Sequence, residues 1–491
     1  MKLNECIEPL FNYEKLGDGN PDIMDITMDS RAVQTGSLFV CIEGENHDGH
    51  MFATAAVSAG ASAIVAEKVI DVSIPVIYVP DSRRALSIVS DQLYHHPSGD
   101  LNLIGVTGTN GKTTVSHLVK SILESGGDKS GLIGTMGVKY GEHHMPIPRT
   151  TPESDQLHRM FRDMINEGVR HTVMEVSSHA LVQGRVRGCD YNIAVFTNLT
   201  QDHLDYHATM KDYMYAKSLL FSQLGNTYNN SNRKAAVLNR DDETSQTLQA
   251  VTSAPVFTYG IDHSADFTAE NIAIHAAGTT FDLVAFGERY TIKTSLLGKF
   301  SVYNILAASL ACYLSGMTLT AIISAIQQLE GIDGRFENVN VGQDFNVIVD
   351  YSHTADSLKN ALQTIKEFAK GRIISVVGCG GDRDRDKRPV MARTAVEYSD
   401  WVVFTSDNPR SEDPEAIIHD MESGVGTGTY TSVVDRRRAI FHAINQAQPD
   451  DVILIAGKGH ETYQVIRDQT INFDDRRVAA EAIKERQNHE H

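Results

Sequence analysis

Short apolar runs alternate with helix-length amphipathic stretches along almost the whole chain. The runs at 37–42, 61–66 and 75–79 come first, then 101–106, 172–176, 193–198 and 235–239, and finally 346–351, 372–378, 401–405 and 451–456. Each has the length and composition of a buried strand, and helical periodicity lies between them, most plainly at 112–124, 211–221 and 319–329. That alternation predicts an α/β fold built on mostly parallel sheets. A β-rich stretch at 256–297 interrupts the middle series. Polar turn clusters, His95-His96-Pro97-Ser98-Gly99-Asp100 and Gly331-Ile332-Asp333-Gly334-Arg335, divide the chain. Three domains are expected: 1–98, 99–332 and 333–491. The tail at 485–491 is polar and is expected to fray.

Composition narrows the partners. Of 491 residues, 41% are hydrophobic, enough for three cores. Lys and Arg total 44 against 63 Asp and Glu, a net charge of -19. That field repels nucleic acid and anionic membrane, so neither is an expected partner, and a phosphate ligand must be met by local positive charge. No run reaches the roughly 18 apolar residues of a membrane span. Cys6, Cys41, Cys189, Cys312 and Cys379 have neither disulfide nor metal-ligand spacing. The first residues lack the apolar core of a signal peptide. A reduced, cytoplasmic protein is expected.

The most informative chemistry lies at 104–114. The apolar strand pattern runs into Gly108-Thr109-Asn110-Gly111, and Lys112-Thr113-Thr114 opens a helix. Strand, glycine turn and helix N-terminus together cradle phosphate with backbone N–H groups. Lys112 meets the β/γ-phosphates in this reading, and Thr113 reaches Mg²⁺. The glycine spacing departs from G-x-x-x-x-G-K-[ST], so this is a variant phosphate loop.

Other polar residues collect at strand ends, where ligands bind in open α/β sheets. Glu175 closes one strand, and Thr197-Asn198 closes the next, with Asp202-His203 and Asp205 just beyond. A carboxylate and an imidazole near a nucleotide suit Mg²⁺ ligation, while a lone histidine also suits a structural role. Lys217 falls within an apolar helical stripe with Tyr213, Met214, Leu220 and Phe221. It either snorkels to solvent or faces a cleft as a functional group. In the last segment, Gly378-Cys379-Gly380-Gly381-Asp382-Arg383, Asp407-Asn408-Pro409-Arg410 and Gly457-Lys458-Gly459-His460-Glu461 each follow a strand. Arg383, Arg410 and Glu461 on neighbouring strand ends suit a zwitterionic ligand with an extra carboxylate. Surface loops with unrelated charges are the alternative.

With these residues placed, the chain resembles the Mur ligase family over nearly its whole length. The resemblance rests on TGTNGKTT at 107–114, EVSSHAL at 175–181, TNLTQDHLDYH at 197–207 and YAKSLLF at 215–221. It continues through GKFSVYNILAA at 298–308, GRFE at 334–337 and DYSHTADSL at 350–358, and DNPR at 407–410 looks like the diaminopimelate-adding branch. The resemblance implies a UDP-sugar-binding first domain, a P-loop ATPase-like central domain with a small β-rich insert, and a Rossmann-like last domain that binds the incoming amino acid. It implies ATP-dependent addition of meso-diaminopimelate to UDP-N-acetylmuramoyl-L-alanyl-D-glutamate through an acyl phosphate, in peptidoglycan precursor synthesis. Use of L-lysine, or another amino-acid ligation such as that of a folylpolyglutamate synthetase, is the alternative.

It also implies site residues. Glu175 and His203 hold Mg²⁺ with Thr113, and Lys217 is carbamylated and helps position a metal. Asn304, Arg335 and Asp350 join the loop residues Gly108 to Thr114 on ATP. Ser30 touches the UDP-sugar, with Gly44-Glu45-Asn46-His47-Asp48-Gly49 as a further candidate segment. Thr150, Thr151, Ser177, Gln183 and Arg185 hold the sugar–peptide. Arg383, Asp407, Asn408, Pro409, Arg410, Gly457 and Glu461 hold the amino acid.

Overall fold

In the computed structural model the apolar runs become three main sheets, each drawn from its own stretch of chain. The structure describes residues 1–44, 47–226, 233–275, 278–329, 331–426 and 429–490. The first sheet orders its strands Glu14–Leu16, Val76–Tyr78, Ala63–Ala66, Ser37–Val40 and Asp25–Thr27, all parallel except the first pair. The central sheet has 11 strands. Its parallel heart runs Ser130–Gly134, His171–Glu175, Asn102–Thr107, Ile193–Phe196, Ala235–Asn239, Val256–Gly260. The last sheet places Asn346–Asp350, Val452–Ala456, Ile373–Cys379 and Trp401–Ser406 side by side and parallel, with Tyr430–Ser432 parallel at one edge and Glu337–Asn338 antiparallel at the other.

The central strands are buried along their length apart from the first residues Asn102 and His171, which is why they read as unbroken apolar runs rather than alternating ones. Helices cover both faces. On one, Val115, Leu118, Val119 and Ile122 of the Lys112–Ser125 helix pack with Val302, Ile305 and Leu306 of the Lys299–Leu314 helix. On the other, Leu157, Phe161 and Met164 pack with Leu220, Phe221 and Leu248. Each such fully buried side chain contributes about 1.5–3 kcal/mol of transfer free energy. Helix starts follow side-chain caps: Asp81, Thr209, Thr318, Thr354 and Asp435 each accept a backbone N–H from the first turn.

Three features differ from the sequence reading or extend it. The β-rich stretch is continuous with the central sheet: Phe267–His275 pairs parallel with Val256–Gly260, and Gly278–Ala285 and Glu288–Thr294 extend it antiparallel. Ser130–Gly134, Gly137–Tyr140 and His143–Met145 form the opposite edge and were not expected as strands. The tail does not fray at 485. The Asp475–Glu490 helix runs on to Glu490, because Val478, Ala479, Ala482 and Ile483 are buried against the last sheet and Arg486 donates to the Ile444 and Ala447 carbonyls; His491 lies outside the described residues.

Candidate active site

Strand register puts the chemistry at one place. Glu175 lies opposite Val106, and Phe196 opposite Thr107, so Glu175, the 108–111 turn and Thr197-Asn198 emerge from the same edge of the central sheet. The carboxyl ends of the last sheet face that edge. Between them lies a cavity of about 930 Å³.

The phosphate loop is splinted by its neighbour. Thr109 N–H donates to the Asn198 carbonyl at 2.8 Å, and Asn110 N–H to Asn198 Oδ1 at 2.9 Å. Thr197 Oγ1 donates to the Asn110 carbonyl at 2.6 Å. Gly108 and Gly111 have φ of 148° and 87°. A Cβ would stand 1.9 Å from Thr197 Oγ1 at the first and 2.5 Å from Asn304 Oδ1 at the second, so only glycine fits either position. Lys112 Nζ donates to the carbonyls of Gly108 at 2.9 Å and Thr109 at 2.8 Å.

Glu175 is fully buried beside this loop. It accepts from Thr113 Oγ1 at 3.0 Å, Thr135 N–H at 2.9 Å and Thr135 Oγ1 at 3.1 Å. Arg335 reaches in from the last domain and donates to Thr113 Oγ1 at 2.9 Å, its guanidinium stacked 4.5 Å from the Tyr351 ring centre. The Thr113 hydroxyl and Glu175 carboxylate are hard oxygen donors that fit a divalent cation shared with phosphate oxygens. Among the described residues no three His, Cys, Asp or Glu side chains are grouped so as to hold a metal by themselves.

His203 and Lys217 line the same cavity. Burial pushes the His203 imidazole down to about 4, against the pull of Asp202, so near neutrality it is uncharged and its lone pair is free to ligate. It has φ 55° and meets His179 edge-on at 5.1 Å. Lys217 does not snorkel. Its ammonium is buried, donates to the Gly108 carbonyl at 2.9 Å and sits 4.3 Å from the Tyr213 ring centre. Burial, then the neighbouring charge of Lys112, hold it well below the ordinary lysine value.

A second wall carries Thr150, Ser177, Gln183 and Arg185. Arg185 Nε donates to Gln183 Oε1 at 3.0 Å, and its guanidinium lies 3.0 Å from Glu153. A third wall carries Arg383, Asp407, Asn408, Arg410, Gly457 and Glu461. Arg410, with φ 50°, donates to the Gly381 carbonyl at 2.7 Å. Asn408 Nδ2 donates to Glu461 Oε2 at 2.9 Å.

Several expected residues stand behind the cavity wall. Thr114 and Asn304 are buried against the loop. Asp350 accepts the Phe336 N–H at 2.8 Å and the Ser352 N–H at 2.9 Å, so it shapes the turn that carries Arg335. Thr151 Oγ1 donates to the Glu175 carbonyl at 2.9 Å. Pro409 is buried. Ser30 lies just beyond Met28, which does line the cavity, as do Gly44 and His47. Glu45 and Asn46 of the candidate uridine segment lie outside the described residues. Sequence reading missed Thr135, Lys387, His353 and Asp356. Asp356 receives Asn110 Nδ2 at 3.0 Å, a bond from the phosphate loop to the Ala355–Phe368 helix. Its position in DYSHTADSL was the one available signal.

Three family models match consecutive stretches: Mur ligase family, catalytic domain at 22–92, Mur ligase middle domain at 106–312, and Mur ligase, glutamate ligase domain at 334–459. A UDP-N-acetylmuramoyl-L-alanyl-D-glutamate–2,6-diaminopimelate ligase of Geobacillus thermodenitrificans is 55% identical over 488 residues, 99% of this chain and 100% of that one. The ligase of the same name from Halalkalibacterium halodurans is 54% identical over 486 residues, 99% of each chain. A solved structure of a ligase of that name superposes with a TM-score of 0.68 at 35% identity, covering 95% of both chains. A MurF ligase from Thermotoga maritima in complex with ADP shares the fold, with a TM-score of 0.66 at 18% identity over 95% of this chain and 97% of that one.

Proposed function

The chain belongs to the Mur ligase family, and from that premise we propose how its cavity joins meso-diaminopimelate to UDP-N-acetylmuramoyl-L-alanyl-D-glutamate. It is an ATP-dependent, amide-bond-forming ligase of peptidoglycan precursor synthesis. The assignment of roles to its residues is our reading. One observation carries it: the phosphate loop, the Arg185 wall and the Arg410 wall open onto a single cavity.

In this reading Lys112 exchanges its loop carbonyls for the β/γ-phosphates of ATP, and Arg335 adds a second cation from the last domain. Thr150, Ser177, Gln183 and Arg185 aim the D-glutamate γ-carboxylate at the γ-phosphate. Its oxygen attacks phosphorus, and ADP leaves an acyl phosphate. The amine of diaminopimelate, held by Arg383, Asn408, Arg410 and Glu461, then attacks the acyl carbon, and phosphate departs. Catalysis is positioning and electrostatics, with no side-chain nucleophile.

Thr113 and Glu175, with His203 and a carbamylated Lys217, would hold Mg²⁺, which would supply charge screening between carboxylate and triphosphate. The depressed Lys217 value supports the carbamate, because only a neutral amine attacks CO₂. We take the domain limits as 1–98, 99–332 and 333–491, supported by the strands of the three sheets falling at 14–78, 102–294 and 337–456. We place the reaction in the cytoplasm, a reading that the five free cysteines support. Among the described residues no helix is long and apolar enough to cross a membrane.

The test is phosphate release with ATP, the UDP-sugar dipeptide and a panel of amino acids that includes L-lysine. Release is expected only with both acceptor and meso-diaminopimelate. Rapid ATP hydrolysis without the dipeptide, or equal use of other amino acids, would overturn the reading.

A further inference from the structure

Lys458 stands between Gly457 and Gly459, whose φ values are 121° and 52°. The turn they allow tucks its side chain behind the third wall of the cavity, fully buried. There Nζ donates to Asn408 Oδ1 at 3.0 Å and to Glu461 Oε2 at 3.1 Å, and lies 3.9 Å from Asp407 Oδ1. All three partners face the cavity, and Lys458 does not.

The geometry leaves little freedom. Asn408 Oδ1 accepts from Lys458 and from the Val465 N–H at 2.9 Å, so the amide nitrogen has to point at Glu461. Glu461 Oε2 takes both of those donors, and among the described residues no donor occupies Oε1. That oxygen is left for an incoming group. With Arg436 paired to Asp475 at 2.7 Å, Asp407 and Glu461 against Lys458 leave this corner with excess negative charge, which suits a cationic group.

We propose that Lys458 is a positioning residue for the incoming amino acid, fixing Asn408 and Glu461 in the arrangement that receives the ammonium group remote from the new bond. The inference rests on the reading of this wall as the amino-acid site. It adds a determinant that never touches substrate and a reason why the corner selects an amine.

Charge state follows from the same contacts. Burial and Asp407 push the Glu461 carboxyl up, and Lys458 opposes them. Arg436, Tyr351 and Tyr463 are the other titratable groups around it. Without Lys458 the carboxyl takes up a proton at higher pH. The ammonium site is then lost as pH falls through a range in which the wild type holds steady.

The test compares wild type with Lys458→Met, which keeps volume and removes charge. We expect KM for meso-diaminopimelate to rise at least tenfold and to climb further as pH falls, while KM for ATP and for the UDP-sugar dipeptide moves less than twofold. Preference for meso-diaminopimelate over 2-aminopimelate, which lacks the remote amine, should shrink by a similar factor. Equal losses on all three substrates, or an unchanged preference, would overturn the proposal. Glu461→Gln separates the two levels. If it leaves diaminopimelate binding intact, the site reading fails; if it weakens binding while Lys458→Met does not, this inference alone fails. Should Lys458→Met not melt cooperatively, Lys458→Gln is read the same way. Loss of fold by both would make Lys458 a folding residue and overturn the proposal.

Discussion

Lys112 and Lys217 share one acceptor: the carbonyl oxygen of Gly108 receives both side-chain nitrogens, each at 2.9 Å. Two ammonium groups on one oxygen in a buried corner oppose each other, and burial with Lys112 is what lowers Lys217. Carbamylation, as proposed, would remove that conflict: a carbamate on Lys217 would turn the repulsion into attraction.

Lys112→Ala should abolish phosphate release. In the proposed role the lysine would answer the charge that builds on the β/γ-phosphates, and losing such a contact costs several kcal/mol of transition-state stabilisation, about a hundredfold or more in rate. Retention of more than about a tenth of the activity, an effect under about 1.4 kcal/mol, would contradict the phosphate-loop assignment.

Lys217→Ala should be inactive and partly rescued by short carboxylic acids, which restore an oxygen donor. In the wild type, ¹³CO₂ should give a carbamate carbon signal by NMR. The pH dependence has a definite sign. The amine must be neutral to take CO₂, so the signal and the activity should fade together as pH drops through the depressed Lys217 value. An active enzyme showing only a bare ammonium would refute the assignment.

Arg410 should separate diaminopimelate from lysine. Diaminopimelate carries a carboxylate beside its distal amine, a match for the guanidinium fork, whereas lysine leaves the half-buried fork only its bond to the Gly381 carbonyl. The cost is about 1.5–3 kcal/mol, or roughly 10- to 150-fold in kcat/KM. Measuring both amino acids in wild type and Arg410→Ala checks this, and an unchanged preference in the variant would count against it.

Closure of the last domain should depend on Asp356. Its bond to Asn110 ties the helix start at 355 to the phosphate loop. Asp356→Ala should raise KM for ATP about two- to tenfold, the worth of one net hydrogen bond. Small-angle scattering should show a more open average shape for the variant than for the wild type. Identical curves would remove the latch.

Arg436 and Asp475, both fully buried, form a two-pronged pair at 2.8 and 2.7 Å beneath the amino-acid wall. Asp475→Ala should destabilise the last domain by about 3–5 kcal/mol by stranding a buried charge. A thermal melt should show it, and Arg436→Met combined with Asp475→Leu should recover part of the loss.

What could be read from the chain was whatever depends on neighbours in sequence. The phosphate loop, the carboxylate at the end of its strand and the DNPR turn announce themselves through glycine, charge and an apolar run a few residues long. Thr135 was invisible, because its value lies in two bonds to Glu175, 40 residues away. Asp356 was equally hidden, 246 residues from Asn110. Lys458 is visible within its glycine turn, yet nothing local distinguishes a buried ammonium from a solvated one. The edge strands at 130–145 are short and glycine-bearing, so their pattern is weak. The tail looked polar because half of its helix faces water, and the sheet that covers the other half is built from distant residues.

Thr113 and Arg335 are bonded across 222 residues of chain. A ribosome adding roughly 5–20 residues per second needs on the order of 10–45 s to travel that far. During this interval the cradle is itself unfinished, because Asn198, which splints the loop, and Arg335, which reaches Thr113, are both translated after it. The cavity therefore assembles only once the chain has grown past residue 335, and its Glu461 corner comes later still.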